Sequence, residues 1–301
     1  MNPRPSSGTR AGVLAAAVAF TWWGFFPLYF RLLPGVRPAE VLANRIVWSL
    51  LLVAAALAWR RQWRWLGPVL RRPRVVATFV ASALLLAVNW IIYIWAVSND
   101  HVIDASLGYF ITPLVNVGLG YGLLGERPRR AQWTALAIAV AGVVWLTVSA
   151  GQLPWTGLLL GISFGGYGLL RKIAVLGALE GLAFETMILA PAAVIAMVVW
   201  WGTSATSFPA PDLATNLWLV GLGPATTVPL LLFATGARRL SLTSLGLLQY
   251  LSPTVQFLLG VWLFHEPFTP MRLVGFAVIW VALAVYTADG WRTTRRLAPA
   301  A

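Results

Sequence analysis

Apolar runs of roughly twenty residues follow one another along the whole chain, separated only by short polar stretches. A helix of about 20 apolar residues crosses the ~30 Å hydrocarbon core of a bilayer. The chain has 301 residues, of which 59% are hydrophobic and 10% charged. Soluble domains are about half apolar and about a quarter charged. Because the chain has too little polar surface to cover a water-soluble globule, the sequence predicts an all-α, polytopic membrane protein.

Ten of these runs predict transmembrane helices. The connections between them are short, and none is long enough for an extramembrane domain. The first run is too long for the apolar core of a signal peptide, so we expect it to be retained. The predicted spans lie at residues 11–33, 39–59, 75–98, 103–124, 132–150, 154–171, 181–202, 214–237, 242–264 and 271–289.

The basic residues are unevenly distributed between the two sides of the predicted membrane. If the N-terminus is cytoplasmic, all of the 22 Lys and Arg residues except Arg31, Arg37, Arg45 and Arg272 fall in cytoplasmic segments. Cytoplasmic loops carry such an excess, which predicts a plasma-membrane protein with both termini cytoplasmic. The basic residues that give the net charge of +13 lie between apolar runs, which argues against a nucleic-acid partner. The expected partners are the lipid bilayer and a small-molecule substrate, and the expected state is a monomer or a homodimer.

The second half of the chain repeats the first. A shift of 140 residues places LGYFITPLVNVGLGYGLLGE (107–126) on LLQYLSPTVQFLLGVWLFHE (247–266) without a gap. Five spans therefore repeat as five, and because five is odd the second copy enters the membrane from the other side. Inverted repeats of this kind place a solute site near the midplane, between the copies. The predicted units are a tail at 1–10, five-helix repeats at 11–150 and 151–290, and a tail at 291–301.

Several stretches carry a resemblance to a known family. They include EVLANRIVWS (40–49), NWIIYIWAV (89–97), FETMILAPAAV (184–194) and GPATTVPLLLFATGARRL (223–240), together with the repeated segment. Across residues 10–290 the chain resembles the EamA-type members of the drug/metabolite transporter superfamily, and among them the RarD-type permeases. The resemblance implies a ten-helix inner-membrane carrier whose cavity is lined by helices 1, 3, 4, 6, 8 and 9. It also implies export, while the association of that group with chloramphenicol does not establish the substrate.

A polar face recurs in spans 4 and 9 and is the first candidate for a cavity wall. Polar groups within a membrane tend to face the interior of a bundle or a water-filled path. The alternative is that the amides hydrogen-bond one helix to another while the glycines allow close packing. The face comprises Tyr109, Pro113, Asn116 and Gly120 in span 4, and Gln249, Pro253, Gln256 and Gly260 in span 9.

Other cavity candidates come from spans 1, 3, 6 and 8. Tryptophan is common at membrane interfaces and in packing, so the aromatic members have that alternative role. Prolines within spans predict helix kinks, because proline lacks the donor for a helical hydrogen bond. The candidates are Trp22, Trp23, Asn89, Tyr93, Tyr167 and Thr227 for the cavity, and Pro27, Pro113, Pro229 and Pro253 for the kinks.

Two charged residues lie within spans at equivalent positions of the repeat, Arg45 in span 2 and Glu185 in span 7. A charge at the bilayer centre costs about 2.5–3.5 kcal/mol on an insertion scale, so neither is expected to face lipid. They could bind charged groups of a substrate, or a proton in the case of Glu185. They could instead act as gates or structural anchors. The inverted repeat places them at opposite depths, so a direct pair between them does not follow.

The remaining polar residues predict no chemistry. His101, Asp104 and His265 are read as solvated turn residues, with a gate role as the less favoured alternative, and no cluster has zinc-ligand spacing. Glu126 and Glu266 precede spans 5 and 10, where an acid complements a helix start; the less favoured alternative is a gate role. No catalytic residue and no cofactor is predicted, apart from a coupling proton if transport is energised. We expect an alternating-access carrier of small metabolites, amino-acid-like compounds or amphipathic drugs; the alternatives are a passive channel and, less favoured, a lipid-modifying enzyme.

Overall fold

The structure is a computed structural model that describes residues 7–98, 102–151, 155–203, 208–210, 212–263 and 270–296. Within these ranges every regular element is a helix, which confirms the predicted all-α class. The helices are α1 (Ser7–Gly24), α2 (Phe26–Phe30), α3 (Pro38–Trp59), α4 (Leu66–Leu70), α5 (Pro73–Ser98), α6 (Val102–Leu124), α7 (Arg130–Ala150), α8 (Trp155–Ile173), α9 (Ala178–Gly202), α10 (Leu213–Arg239), α11 (Leu242–Gln249), α12 (Leu251–Trp262) and α13 (Pro270–Arg296).

Six helical stretches in the described part of the chain are long and apolar enough to cross a membrane. Two shorter apolar stretches, Tyr109–Leu124 and Leu273–Asp289, lie within α6 and α13. A polytopic membrane protein is therefore confirmed, while the number of ten spans and the orientation of the termini stay predictions. The six long stretches are Arg10–Phe30, Pro38–Trp59, Pro73–Ala96, Arg130–Ser149, Ala178–Gly202 and Leu213–Arg239.

Two of the predicted spans are divided into consecutive helices. The first breaks at Phe25 between α1 and α2, two residues before Pro27. The ninth breaks at Tyr250 between α11 and α12, three residues before Pro253. Proline near the start of a helix costs no hydrogen bond, because the first N–H groups of a helix have no intrahelical partner. The other two predicted kinks, at Pro113 and Pro229, lie inside the continuous helices α6 and α10.

One end of the bundle, which we call the basic face, brings together the start of α1, the end of α8, the start of α9 and the α10–α11 junction. Gly12 packs against Arg239 and Leu240. The Lys172 ammonium donates to the Leu240 carbonyl, and Arg238 donates to the carbonyl of Leu176. Lys172, Arg238 and Arg239, which the sequence assigns to the cytoplasm, therefore lie together at one end.

The opposite face holds the junction of α2 with α3, the end of α9 and the start of α10. Tyr29 donates its hydroxyl to the carbonyl of Trp218 at 2.6 Å. The guanidinium carbon of Arg37 lies 5.3 Å from the ring centroid of Trp200. Helix α3 thus begins at the opposite face, whereas α9 begins at the basic face.

The core between the two faces joins the predicted halves through aromatic packing. Trp23 of α1 meets Phe164 of α8 edge-to-face at 5.5 Å, and Phe233 of α10 packs against both. Phe110 and Tyr250, which the 140-residue shift makes equivalent, stack with ring centroids 6.0 Å apart. The halves are therefore held together by direct contacts along the middle of the bundle.

Candidate functional site

A cavity lies at the centre of the bundle, with an empty volume of about 500 Å³ that includes space open to solvent. Its walls come from both predicted halves, with contributions from α1, α2, α3, α5, α6, α8, α11 and α12. Aromatic rings form most of the wall and a small number of polar groups face in, the usual composition of a small-molecule site. The lining residues are Phe20, Trp23, Phe26, Arg45, Asn89, Trp90, Tyr93, Tyr109, Phe164, Gln249 and Ser252.

Arg45 supplies the charge of this cavity. Its side chain is buried, with the residue 3% exposed, and its Nε donates to Thr226 Oγ1 at 3.0 Å. The guanidinium carbon lies 4.4 Å from the ring centroid of Trp90 and 5.3 Å from that of Phe26. None of the carboxylates in the described ranges lies within ion-pair distance of Arg45. The site therefore holds a buried cation with no anion from these parts of the chain.

The polar residues of the cavity wall are partly engaged in contacts between helices. Asn89 donates to the Leu160 carbonyl at 3.1 Å and to Ser163 Oγ at 3.1 Å, so its amide ties α5 to α8. Gln249 accepts from Asn116 at 3.4 Å, which ties α11 to α6. Asn89 and Gln249 thus both line the cavity and form hydrogen bonds to a neighbouring helix.

Tyr93 and Tyr109 form an edge-to-face pair, with ring centroids 5.6 Å apart. The Ser252 hydroxyl is buried and has no hydrogen-bond partner in the described structure. Ser252 thus lines the cavity with a hydroxyl that is buried within the wall.

Five of the predicted cavity residues lie outside this lining. Trp22 donates its indole N–H to the Ala225 carbonyl at 3.1 Å, and Gln256 donates to the Trp23 carbonyl at 3.3 Å. Thr227 and Asn116 are buried and do not line the cavity. The hydroxyl of Tyr167 faces Glu185 Oε2 at 3.5 Å.

The lining also contains residues that the sequence reasoning did not select. Their shared property is an aromatic ring within one turn of a selected position, except for Ser252. That proximity was the available signal, but with 17 Trp and 14 Phe in the chain it does not distinguish wall from packing. The added residues are Phe20, Phe26, Trp90, Phe164 and Ser252.

Glu185 lies nearer the basic face and is fully buried. Ser82 donates its hydroxyl to Oε1, and Arg171 Nη1 lies 3.7 Å from the same oxygen. Arg171 is itself only 1% exposed and donates to the Ala178 carbonyl at 3.1 Å. Arg171 is the last residue of the predicted sixth span, and its side chain is buried because α8 continues to Ile173. Glu185 and Arg45 thus each have partners of their own.

Glu126 has a different role from the predicted one. Its Oε1 accepts from the Leu242 N–H at 2.8 Å, and its Oε2 accepts from the N–H and hydroxyl of Thr243 at 3.2 Å and 3.1 Å. The residue therefore caps α11 in the other half rather than the helix that follows it, α7. Lys172 Nζ lies 3.8 Å from the same carboxylate. The prediction of a helix-start anchor named the wrong helix.

Some of the predicted turn residues cannot be placed. His101, His265 and Glu266 lie outside the described residues, and the side chain of Asp104 is not described either. Among the residues that the structure does describe, no group of three His, Cys, Asp or Glu side chains could hold a metal ion.

Comparison with known proteins relates this architecture to a transporter family. The model of the EamA-like transporter family matches residues 10–148 and again residues 154–288. A solved crystal structure 19% identical in sequence has the same fold, with a TM-score of 0.69 over 92% of this chain and 98% of that one.

Relatives with assigned names are found in several bacteria. A protein RarD of Streptomyces exfoliatus is 44% identical over 95% of this chain and 91% of its own length. An uncharacterized transporter of Pseudomonas aeruginosa is 44% identical over 97% and 98%. A chloramphenicol-sensitive protein RarD of the same species is 33% identical over 95% of each chain. The resemblance to RarD-type permeases is confirmed, and the chain belongs to the EamA-like transporter family.

Proposed function

We propose that this membrane transporter is a secondary carrier that moves small amphipathic solutes through the central cavity by alternating access. The observation that carries the proposal is the cavity itself, which is walled by both halves of a repeated chain. A site at the interface of two repeats can be opened to one side by rocking one repeat against the other. The family and the names of its relatives indicate transport rather than catalysis.

Contacts between the halves at the basic face support a closed state on that side. Glu126 of the first half accepts three hydrogen bonds from the start of α11 in the second. Carboxylates at a helix N-terminus satisfy N–H groups that have no intrahelical partner and complement the helix dipole. Opening this face would break these bonds, so Glu126 is suited to hold it shut in one state and release it in another.

Orientation and direction follow from charge and from the family resemblance. The basic face carries the residues that the positive-inside bias assigns to the cytoplasm, so we place this face inside and the opposite face outside. The resemblance to exporters gives outward movement across the cytoplasmic membrane. In that frame Arg45 lies in the outer half of the bundle and Glu185 in the inner half, since each is the eighth residue of a helix that begins at its own face.

If transport is energised by protons, Glu185 is the carboxylate that the fold offers for coupling. Protonation would neutralise the partner of Arg171 and weaken the contact between α8 and α9. We expect solute uptake into inverted vesicles to collapse when the pH gradient is dissipated. Uptake that is insensitive to the gradient would instead indicate facilitated diffusion.

The carrier mechanism can be tested without knowing the solute, because the chain contains no cysteine and accepts site-directed spin labels without background. One pair of labels would replace Arg127 and Arg239, both exposed at the basic face. A second pair would replace Leu32 and Leu213, both exposed at the opposite face.

The label distances would be measured by pulsed electron resonance in lipid nanodiscs. Alternating access predicts two populations of label-to-label distance for each pair. A condition that lengthens the distance at the basic face should shorten the distance at the opposite face. A channel predicts a single arrangement, or both distances changing in the same direction, and that outcome would exclude the carrier.

A further inference from the structure

We propose that the solute of this cavity carries one anionic group, a carboxylate, which binds to the guanidinium of Arg45 while an apolar or aromatic body lies against the rings of the wall. The inference rests on the proposed transport function and names the chemical class of its substrate. It is drawn from the surroundings of Arg45.

The first step is that Arg45 is buried without a compensating charge. A buried ion is costly unless it is paired and hydrogen-bonded. Thr226 takes the hydrogen bond from Nε, which leaves both Nη groups without a hydrogen-bond partner among the described residues. A guanidinium has five N–H donors and accepts nothing, so four of its donors await an acceptor. The other buried arginine, Arg171, has Glu185 beside it.

The second step concerns the geometry of the free donors. The N–H groups of a guanidinium lie in its plane, whereas a cation–π contact uses its flat face. Trp90 and Phe26 have their ring centroids 4.4 Å and 5.3 Å from the guanidinium carbon, so aromatic rings are already close to the cation. The donors at the edge then remain free for an acceptor in the plane. A carboxylate matches such an edge with two parallel hydrogen bonds.

The third step limits the rest of the ligand. Arg45 is the one basic residue among the described lining residues, which suits a monoanion better than a phosphate dianion. The described lining contains no carboxylate, so it provides no ion pair for the ammonium group of a zwitterion. Rings such as Phe20, Trp23 and Phe164 suit a flat apolar body.

The test uses two probes of the same shape that differ in charge, phenylacetate and phenylacetamide. Binding to the purified full-length protein in detergent would be followed by tryptophan fluorescence and by thermal stabilisation. We expect the acid to bind at least about tenfold more tightly than the amide, as a bidentate charge-assisted contact allows. Replacement Arg45→Met should abolish the preference for the acid over the amide, while Arg45→Lys should restore part of it.

The matched control is Arg60→Gln, which removes the same charge from the exposed end of the same helix. It should keep the full preference for the acid. A melting temperature of Arg45→Met without a probe close to that of the unmodified protein shows that this variant is folded. Equal affinity of the two probes, or failure of both to bind to the unmodified protein, would overturn the proposal, as would an acid preference that survives Arg45→Met.

Counterflow of labelled phenylacetate in proteoliposomes separates this proposal from the transport function. Binding of the acid without counterflow would retain the anion site and count against the carrier. Counterflow that occurs without any preference for the acid would retain the carrier and overturn the anion site.

Discussion

The two intramembrane charges that the repeat makes equivalent, Arg45 in α3 and Glu185 in α9, have different surroundings. Glu185 is enclosed by Arg171, Ser82 and Tyr167, and neither it nor Arg171 lines the cavity. Arg45 lines the cavity, and rings rather than a carboxylate surround it. The charge of Glu185 is balanced by Arg171 within the protein, whereas the charge of Arg45 is left for a ligand of the cavity.

This difference suggests how a repeated fold becomes an asymmetric transporter. Both halves keep a charged residue two turns into an equivalent helix, and both have an arginine 14 positions before it, Arg31 and Arg171. The charged residue is Arg45 in the first half and Glu185 in the second, so only the second half can form an ion pair between these two positions. Breaking a buried ion pair on one side is strongly destabilising, since it leaves the other charge uncompensated. The basic-face end of the bundle should therefore depend on its charges for stability, whereas the cavity end should depend on them for binding.

The Arg171–Glu185 pair gives the most direct test of the difference between the two ends of the bundle. We expect Arg171→Met to lower the free energy of unfolding by about 3–5 kcal/mol, because Glu185 is then buried alone. Adding Glu185→Gln to that variant should recover a large part of the loss. Unfolding of the protein in mixed micelles would measure both changes. Replacement of the exposed Arg72 by Gln is the control and should change stability little. If Arg171→Met and Arg72→Gln cost the same, the pair does not support the fold.

Replacement of Glu126 tests whether its hydrogen bonds to the other half hold the basic face shut. We expect Glu126→Gln to destabilise the start of α11 by about 0.5–2 kcal/mol, the usual range for loss of a helix cap. With spin labels in place of Arg127 and Arg239, the same variant should shift the population towards longer distances. Glu180→Gln is a suitable control, since Glu180 lies in the first turn of α9 at the same face. An unchanged distance distribution in Glu126→Gln would show that the carboxylate does not close this face.

Arg45 should behave in the opposite way to Arg171 in the same unfolding assay. Replacement Arg45→Met removes a hydrogen bond and a cation–π contact worth about 2 kcal/mol when desolvated, but it also removes the cost of a buried charge. We expect the two to offset, so that the free energy of unfolding changes by less than about 1 kcal/mol. A loss as large as that of Arg171→Met would mean that Arg45 is a structural anchor and would remove the asymmetry.

Hydropathy predicted the class of the fold because a bilayer leaves few choices. Each predicted span overlaps one helix or two consecutive helices. A segment that crosses hydrocarbon must satisfy its backbone hydrogen bonds internally, so an apolar run long enough to span the bilayer forms a helix of about the same length. The division of the first and ninth spans was not predicted, although Pro27 and Pro253 marked the neighbourhood. Proline shows where a helical bond is missing, but packing decides whether the helix bends or stops.

The site was less predictable because its contacts join distant parts of the chain. The shift of 140 residues identified Arg45 and Glu185 as equivalent, but it could not show that Arg171 turns inward beside Glu185. It also could not show that Glu126 reaches α11, a contact between residues 116 positions apart in sequence. Both depend on how the helices are placed against each other, which a hydropathy pattern does not record.

The smallest expected effect concerns a cap that stays within its own half. Asp212 at the start of α10 accepts from the Thr215 N–H at 2.8 Å, and this hydrogen bond lowers the pKa of Asp212 below its usual value. A lowered pKa in the folded state means that the cap contributes stability above the usual Asp pKa and loses it as the pH falls through the folded value. Asp212→Asn keeps a capping group without a charge, so its stability should fall less on acidification than that of the unmodified protein, whereas Asp212→Ala should be weaker at every pH. Unfolding curves recorded between neutral pH and about pH 3 would measure the difference. Parallel curves for the unmodified protein and Asp212→Asn would show that this carboxylate, unlike Glu126 between the halves, adds nothing through its charge.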